Sequence, residues 1–168
     1  MAYGVHFVTA DNVITNLATV VAATADPILV GQYTGFAAVS AVTVYELAIK
    51  EIFIEFSAKK HKVFGYFTER HFERINGRIT LHNLKKEHVP KFGERYQKRF
   101  EAALDKDELI ELRASSISIK ANYGNLIAWR HEFAHQGQIP TNATFAEVQR
   151  AYEYGKRVID CLARCMSR

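Results

Sequence analysis

Proline and glycine are scarce in this chain, three and nine among 168 residues. So few turn-formers exclude the many reversals of a β-sandwich or barrel and favour helices. Cysteine is scarcer still. Cys161 and Cys165 lie four apart on one expected helix face and read as buried thiols, with no disulfide framework of the secreted kind. The longest uncharged stretch, Pro27 to Tyr45, is broken by Gly31, Gln32 and Gly35. Its apolar part from Phe36 stops at Glu46, short of the roughly 20 residues a membrane span needs. No basic region precedes the first apolar run, which Asp11 and Asp26 flank, so neither a signal peptide nor a membrane partner is expected and the reading is cytoplasmic. Repeats, linkers and low-complexity tracts are also missing. With 48% apolar residues the chain has enough to bury one core, and 1–168 reads as a single domain.

Basic charge is almost missing from residues 1 to 58, which hold one Lys or Arg against five Asp or Glu. Residues 59 to 100 reverse this with twelve against four, and residues 101 to 168 balance at nine of each. The basic middle, which includes Arg70, Arg74 and Arg78, is interleaved with Phe64, Tyr66, Phe67, Phe72, Phe92, Tyr96 and Phe100. That composition fits a polyanion-facing surface, with Lys85, Lys86, Arg95 and Lys98 as candidate RNA-binding residues, or equally a set of solvated amphipathic helices.

Hydrophobic spacing sets out the helices. Asp11 can cap a first helix to about Ala23, closed by Asp26-Pro27. A long central helix is expected from about Gly35 to His61, with Val39, Val42, Tyr45, Ile49, Ile52, Phe53 and Phe56 on one face. A third runs from about Val63 to Asn76, ending at Gly77, and Thr80 caps a short one that stops before Pro90. Lys91 to Leu104 is helical, and Asp105, Asp107, Glu108 and Glu111 read as a solvated turn and helix start. Ser115 or Ser116 opens the next helix, which ends at Gly137. Thr144 and Glu147 form a capping box for the last, which reaches about Met166. The expected fold is all-α, one antiparallel bundle of five to six helices.

The most chemically loaded segment is Asn125 to Gly137. At roughly 100° per residue, Arg130 falls in the middle of the apolar stripe formed by Tyr123, Leu126, Ile127, Phe133 and Ala134. A permanent charge there needs a carboxylate, a phosphate or a groove to receive it. Glu46, bordering the core stripe of the long helix, is a candidate partner, unless it pairs with Lys50 one turn away.

Two motifs overlap here. From His131 the segment reads H-E-x-x-H, in which His131 and His135 would bind zinc and Glu132 would act as base. Its extended form fails, because Gln138 stands at the glycine position and Thr141 at that of the third histidine, leaving only Glu147 or Glu153 as a third ligand. From Arg130 it is an arginine and a histidine five apart. Cleaving RNA without a metal requires a proton-transfer group, which a histidine supplies, and a cation for the phosphate, which an arginine supplies. Side chains five apart on an ideal helix diverge by about 140°. Convergence on a phosphate would then require a frayed helix end at Gly137 or a second copy of the chain, with the site in the seam of a dimer.

Leu126 to Gly137, followed by Pro140-Thr141-Asn142 and the helix opening Thr144-Phe145-Ala146-Glu147, resembles the HEPN superfamily. Arg130, His131 and His135 fill its pattern of arginine, polar residue and terminal histidine. The resemblance implies a helical bundle and, in catalytic members, a metal-independent endoribonuclease acting as a homodimer. Arg130 and His135 would then be catalytic with His131 assisting, Glu46 and Lys50 supporting, and no metal or cofactor used. It also implies settings in toxin–antitoxin and antiphage defence systems, with an antitoxin or neighbouring defence protein as partner. His131 stands where asparagine or aspartate is more frequent, and no tyrosine follows two residues after His135. Some members are non-catalytic RNA-binding or dimerisation modules.

Overall fold

A 34-residue helix, α2 (Pro27–Lys60), runs through the middle of the molecule, and most of the other helices pack on it. The computed structural model describes residues 2–73, 75, 77–140 and 142–167. Arg74 of the basic segment, Asn76 at the expected end of the third helix and Thr141 of the polar turn therefore lie outside the described residues. Around α2 stand α1 (Gly4–Ala22), α3 (Lys62–Phe72), the single turn α4 (Leu81–Asn83), α5 (Glu94–Ser115), α6 (Ile119–Gln136) and α7 (Phe145–Met166). Apart from α4 these are six helices, and no strand occurs among the described residues, so the all-α expectation holds.

α2 begins eight residues earlier than its periodicity suggests. Asp26 accepts the Ile28 N–H at 2.8 Å and Pro27 occupies the first helical position, where its missing N–H costs nothing. Asp26-Pro27 thus opens α2. Gly31 and Gly35, which look like breakers, are contact points instead: a side chain at either would run into Ile139 or the Phe133 ring. They let the end of α6 and the loop beyond it lie directly on α2. Deeper in, Val42, Tyr45, Ile49, Ile52, Phe53 and Phe56 are buried as expected, while Val39 of the same expected face is only half-buried. Tyr45 stacks between Tyr123 of α6 (centroids 5.6 Å) and Tyr152 of α7 (5.8 Å), which locks the three helices at one level.

Several boundaries differ from the sequence reading because side chains find distant partners. Asp11 is no cap; it lies inside α1, where its carboxylate accepts from the Tyr152 hydroxyl at 2.8 Å and Lys156 Nζ at 2.7 Å. The acidic run 105–111 is no turn. It continues α5, with Asp105 paired to Lys120, Asp107 to Arg164 and Glu111 to Arg157. Buried Glu108 accepts from Ser118 Oγ and the Lys120 N–H. α5 ends on Ser116 in the left-handed region (φ 58°), and Ser118, neither of the serines expected, caps α6 by accepting the Ala121 N–H at 2.9 Å. Thr80 does cap α4, but the chain continues through a π-helical turn, Leu84–His88, into a 3-10 turn, Val89–Phe92, so Pro90 sits inside it. The Thr144–Glu147 capping box of α7 forms as read.

α1 packs against α2 and α7. Among the described residues it is the one helix long and apolar enough to cross a membrane, with mean hydropathy 1.2 and only 11% of that window buried. Here Asp11 ties it to α7.

Candidate functional site

Helix α6 presents Leu126 and Trp129 to the core, and Arg130 lies beside them, with 16% of its side chain exposed. The carboxylate that receives it is Glu46 of α2, 11% exposed, at 3.6 Å from the terminal nitrogen Nη2. Lys50 makes no ion pair with Glu46 among the described residues. Glu46 Oε1 also accepts the Gly77 N–H at 2.7 Å. Gly77 has φ 74° and lies in the loop after α3, which ends at Phe72, so it is not the C-terminal glycine of that helix. The positive φ is what favours glycine here, since a Cβ would stand at an ordinary contact distance, 3.5 Å, from Arg130 Nη1.

Arg130 and His135 meet within one chain. Gly137 (φ 65°) ends α6 in the left-handed conformation, and Gln138 N–H returns to the Glu132 carbonyl at 3.2 Å. His135 therefore sits in the last turn. Arg130 Nη1 reaches its Nε2 at 2.8 Å. The divergence expected from ideal helix geometry is overcome by length, because the extended arginine side chain spans the rise of about 7.5 Å over five residues. A guanidinium can only donate, so Nε2 accepts, and a neutral His135 carries its proton on Nδ1. Arg130 Nε is buried without a partner among the described residues.

Arg130 and His135 open onto a cleft of about 530 Å³ whose wall includes His131, Arg78, Thr80 and Ile127. The His131 ring lies 5.1 Å from that of His135, centroid to centroid. One rim of the cleft is the loop 77–80, and three consecutive residues of it are tied down. Glu46 holds the Gly77 N–H, His88 Nε2–H donates to the Arg78 carbonyl at 2.7 Å, and the Tyr123 hydroxyl donates to the Ile79 carbonyl at 2.6 Å. Burial lowers the His88 pKa, keeping the ring neutral and suited to that single donation. Burial, with the Glu46 charge added, raises the Tyr123 pKa well above the ordinary phenol value, so it stays a donor.

No motif marks Gly77, Thr80 or His88 as site residues, and Arg78 stands out only as one cation of the basic segment. Their signal is the loop after α3, but nothing local says that it folds over residues 50 positions further on. Conversely, none of Lys85, Lys86, Arg95 and Lys98 lines the cleft. Lys86 pairs with Glu101 at 3.6 Å and Lys98 with Glu94 at 2.8 Å. Asp105 is held below the usual carboxylate range mainly by its hydrogen bond to Lys120, with Lys85 adding to the effect.

For zinc, the two histidines are adjacent but the third ligand is missing. Glu147 is used by the capping box of α7, and Glu153 by Lys156 at 2.9 Å. No group of three metal-ligating side chains forms among the described residues.

Neither a curated protein nor a solved structure matches the chain. The model of one family, RiboL-PSP-HEPN, matches residues 10–168, which takes in α2, the 77–80 loop and the whole of α6 and α7. The all-helical bundle and this match agree: the chain belongs to the RiboL-PSP-HEPN family.

Proposed function

We propose that this protein is a metal-independent endoribonuclease whose reaction centre is the Arg130–His135 pair. The observation that carries the reading is the 2.8 Å contact of Arg130 Nη1 with His135 Nε2 at the mouth of the cleft. An RNA phosphate entering there takes the guanidinium as its counter-ion, supported from behind by Glu46. That releases the Nε2 lone pair of His135 towards the 2′-hydroxyl, whose oxygen attacks the phosphorus as the proton moves to the imidazole. The 5′-oxygen leaves with a proton from a histidine, and His131 is the second such group at the cleft. Arg78 adds a further cation for the strand.

A homodimer, a cytoplasmic setting and a role in a toxin–antitoxin or antiphage defence system rest on the family resemblance. The dimer no longer has support from helix divergence, since one chain brings both side chains together. A second reading, an RNA-binding module without turnover, is favoured by one fact: the Arg130 charge is already satisfied by Glu46 inside the fold.

The test is cleavage of mixed single-stranded and structured RNA by purified protein in excess EDTA, beside Arg130→Ala and His135→Ala. Cleavage that both substitutions abolish supports the ribonuclease. Binding without cleavage by folded wild type moves the reading to the module, and chelator-sensitive activity overturns metal independence.

A further inference from the structure

The outward face of α3 carries large apolar side chains that the fold leaves open. Val63, Tyr66 and Phe67 are 67%, 58% and 64% exposed. The opposite face fixes this orientation, because Gly65 abuts Ala58 of α2, Thr68 Oγ1 donates to Ser57 Oγ at 2.7 Å, and Phe72 is buried. The rings are therefore held outward by packing behind them.

Cations surround them. Residues 59 to 73 hold Lys59, Lys60, Lys62 and Arg70 against two acids, Glu69 and Glu73, and Arg70 lies 3.8 Å from Glu73 in an exposed ion pair. Lys62 Nζ lies 5.8 Å from the Tyr66 ring centroid, Phe67 is parallel to His71 within 13°, and the Arg70 side chain is 83% exposed. Lysine is depleted at the centre of protein-binding surfaces, and this face is bordered by Lys59, Lys60 and Lys62. Exposed rings alternating with cations suit an unpaired nucleic-acid strand, whose bases offer π-faces and whose backbone offers phosphates. A duplex would hide those faces.

Behind the face, a chain of ring contacts runs through the interior to the cleft rim, past Phe72 and His88, both buried. Phe67 stacks on His71, His71 meets Phe72 edge-on at 4.8 Å, and Phe72 meets His88 at 5.5 Å. His88 in turn holds the Arg78 carbonyl at the cleft rim.

We infer that the Tyr66–Phe67 face of α3 is a stacking platform for unpaired bases of the RNA strand whose phosphate occupies the Arg130–His135 cleft, with Lys62 and Arg70 following the backbone. The inference rests on the RNA-directed reading of the cleft. It makes the protein selective for single-stranded over duplex RNA.

The test is binding, by fluorescence anisotropy in EDTA, of three labelled probes: a short oligouridylate, an abasic ribose-phosphate strand of equal length, and an RNA duplex. Both rings are exposed, so Tyr66→Ala and Phe67→Ala retain the fold, which circular dichroism checks. Each should weaken oligouridylate binding by roughly 5- to 150-fold, the range for one base stacked on one aromatic. Neither should change binding of the abasic strand, and Phe67→Tyr should restore affinity. No loss, or equal loss on both single strands, overturns the platform. So does a change in sedimentation of the variants without RNA, which would make the face a self-association surface. Cleavage by wild type without base-dependent binding removes the platform and leaves the ribonuclease; base-dependent binding without cleavage does the reverse.

Discussion

Glu46 performs two separable tasks, and two substitutions separate them. Its Oε1 accepts the Gly77 N–H at 2.7 Å and faces Arg130 Nη2 at 3.6 Å, with both side chains mostly buried. Two unit charges at that separation attract by about 4–5 kcal/mol at an effective dielectric constant of about 20, and desolvation offsets much of this. Glu46→Gln keeps an oxygen for Gly77 but removes the charge, so about 1–2 kcal/mol of stability should be lost. Glu46→Ala also leaves the loop N–H without its acceptor and should cost about 2–4 kcal/mol. Urea unfolding at constant m-value gives both numbers. Arg130→Met should be less destabilising in the Glu46→Gln background than alone, because the charge it removes has already lost its partner. If Glu46→Gln and Glu46→Ala cost the same, the Gly77 bond contributes nothing. If the Arg130 and Glu46 effects simply add, the pair is not coupled and the account of why an arginine stands in this apolar stripe is refuted.

His88 is neutral in the fold because burial lowers its pKa. The unfolded chain therefore takes up a proton as pH falls below the ordinary histidine value while the folded chain does not, so its contribution to stability is intact above about pH 6.5 and is lost progressively below. Urea midpoints from about pH 7.5 to about pH 5.5 should fall more steeply for wild type than for His88→Gln; parallel slopes would contradict this. The Cys161 thiol, its pKa raised to about 12 by burial and then by its hydrogen bond to Asp107, should resist alkylation in native protein and react once urea unfolds it. Fast native-state labelling at that position would show the burial to be wrong. Arg78→Gln should weaken RNA binding at the cleft and make the slope of log affinity against log salt shallower by about 0.7 between about 50 and about 200 mM. An unchanged slope would mean that Arg78 meets no phosphate.

Local pattern was enough for much of this protein. Few prolines and glycines, the 3.6-residue spacing of Val42 through Phe56, the capping box at Thr144 and the density of ionisable side chains from Arg130 to His135 made the helical bundle and its candidate functional helix legible, because each is read from composition or from neighbours along one helix. The oddity of Arg130 in an apolar stripe pointed to a carboxylate, with Glu46 a candidate. Tertiary structure decided the rest. It took packing to make contact points of Gly31 and Gly35, to turn an acidic run into the continuation of α5 through Arg157, Arg164 and Lys120, and to move Asp11 from a cap into a helix interior. Above all it brought Gly77 and Arg78 onto α6. Such contacts join residues 15 to 145 positions apart on different elements, where no helical period relates them, and side-chain reach then settles what periodicity alone misjudged: a flexible arginine closes on a histidine that ideal helix geometry directs elsewhere.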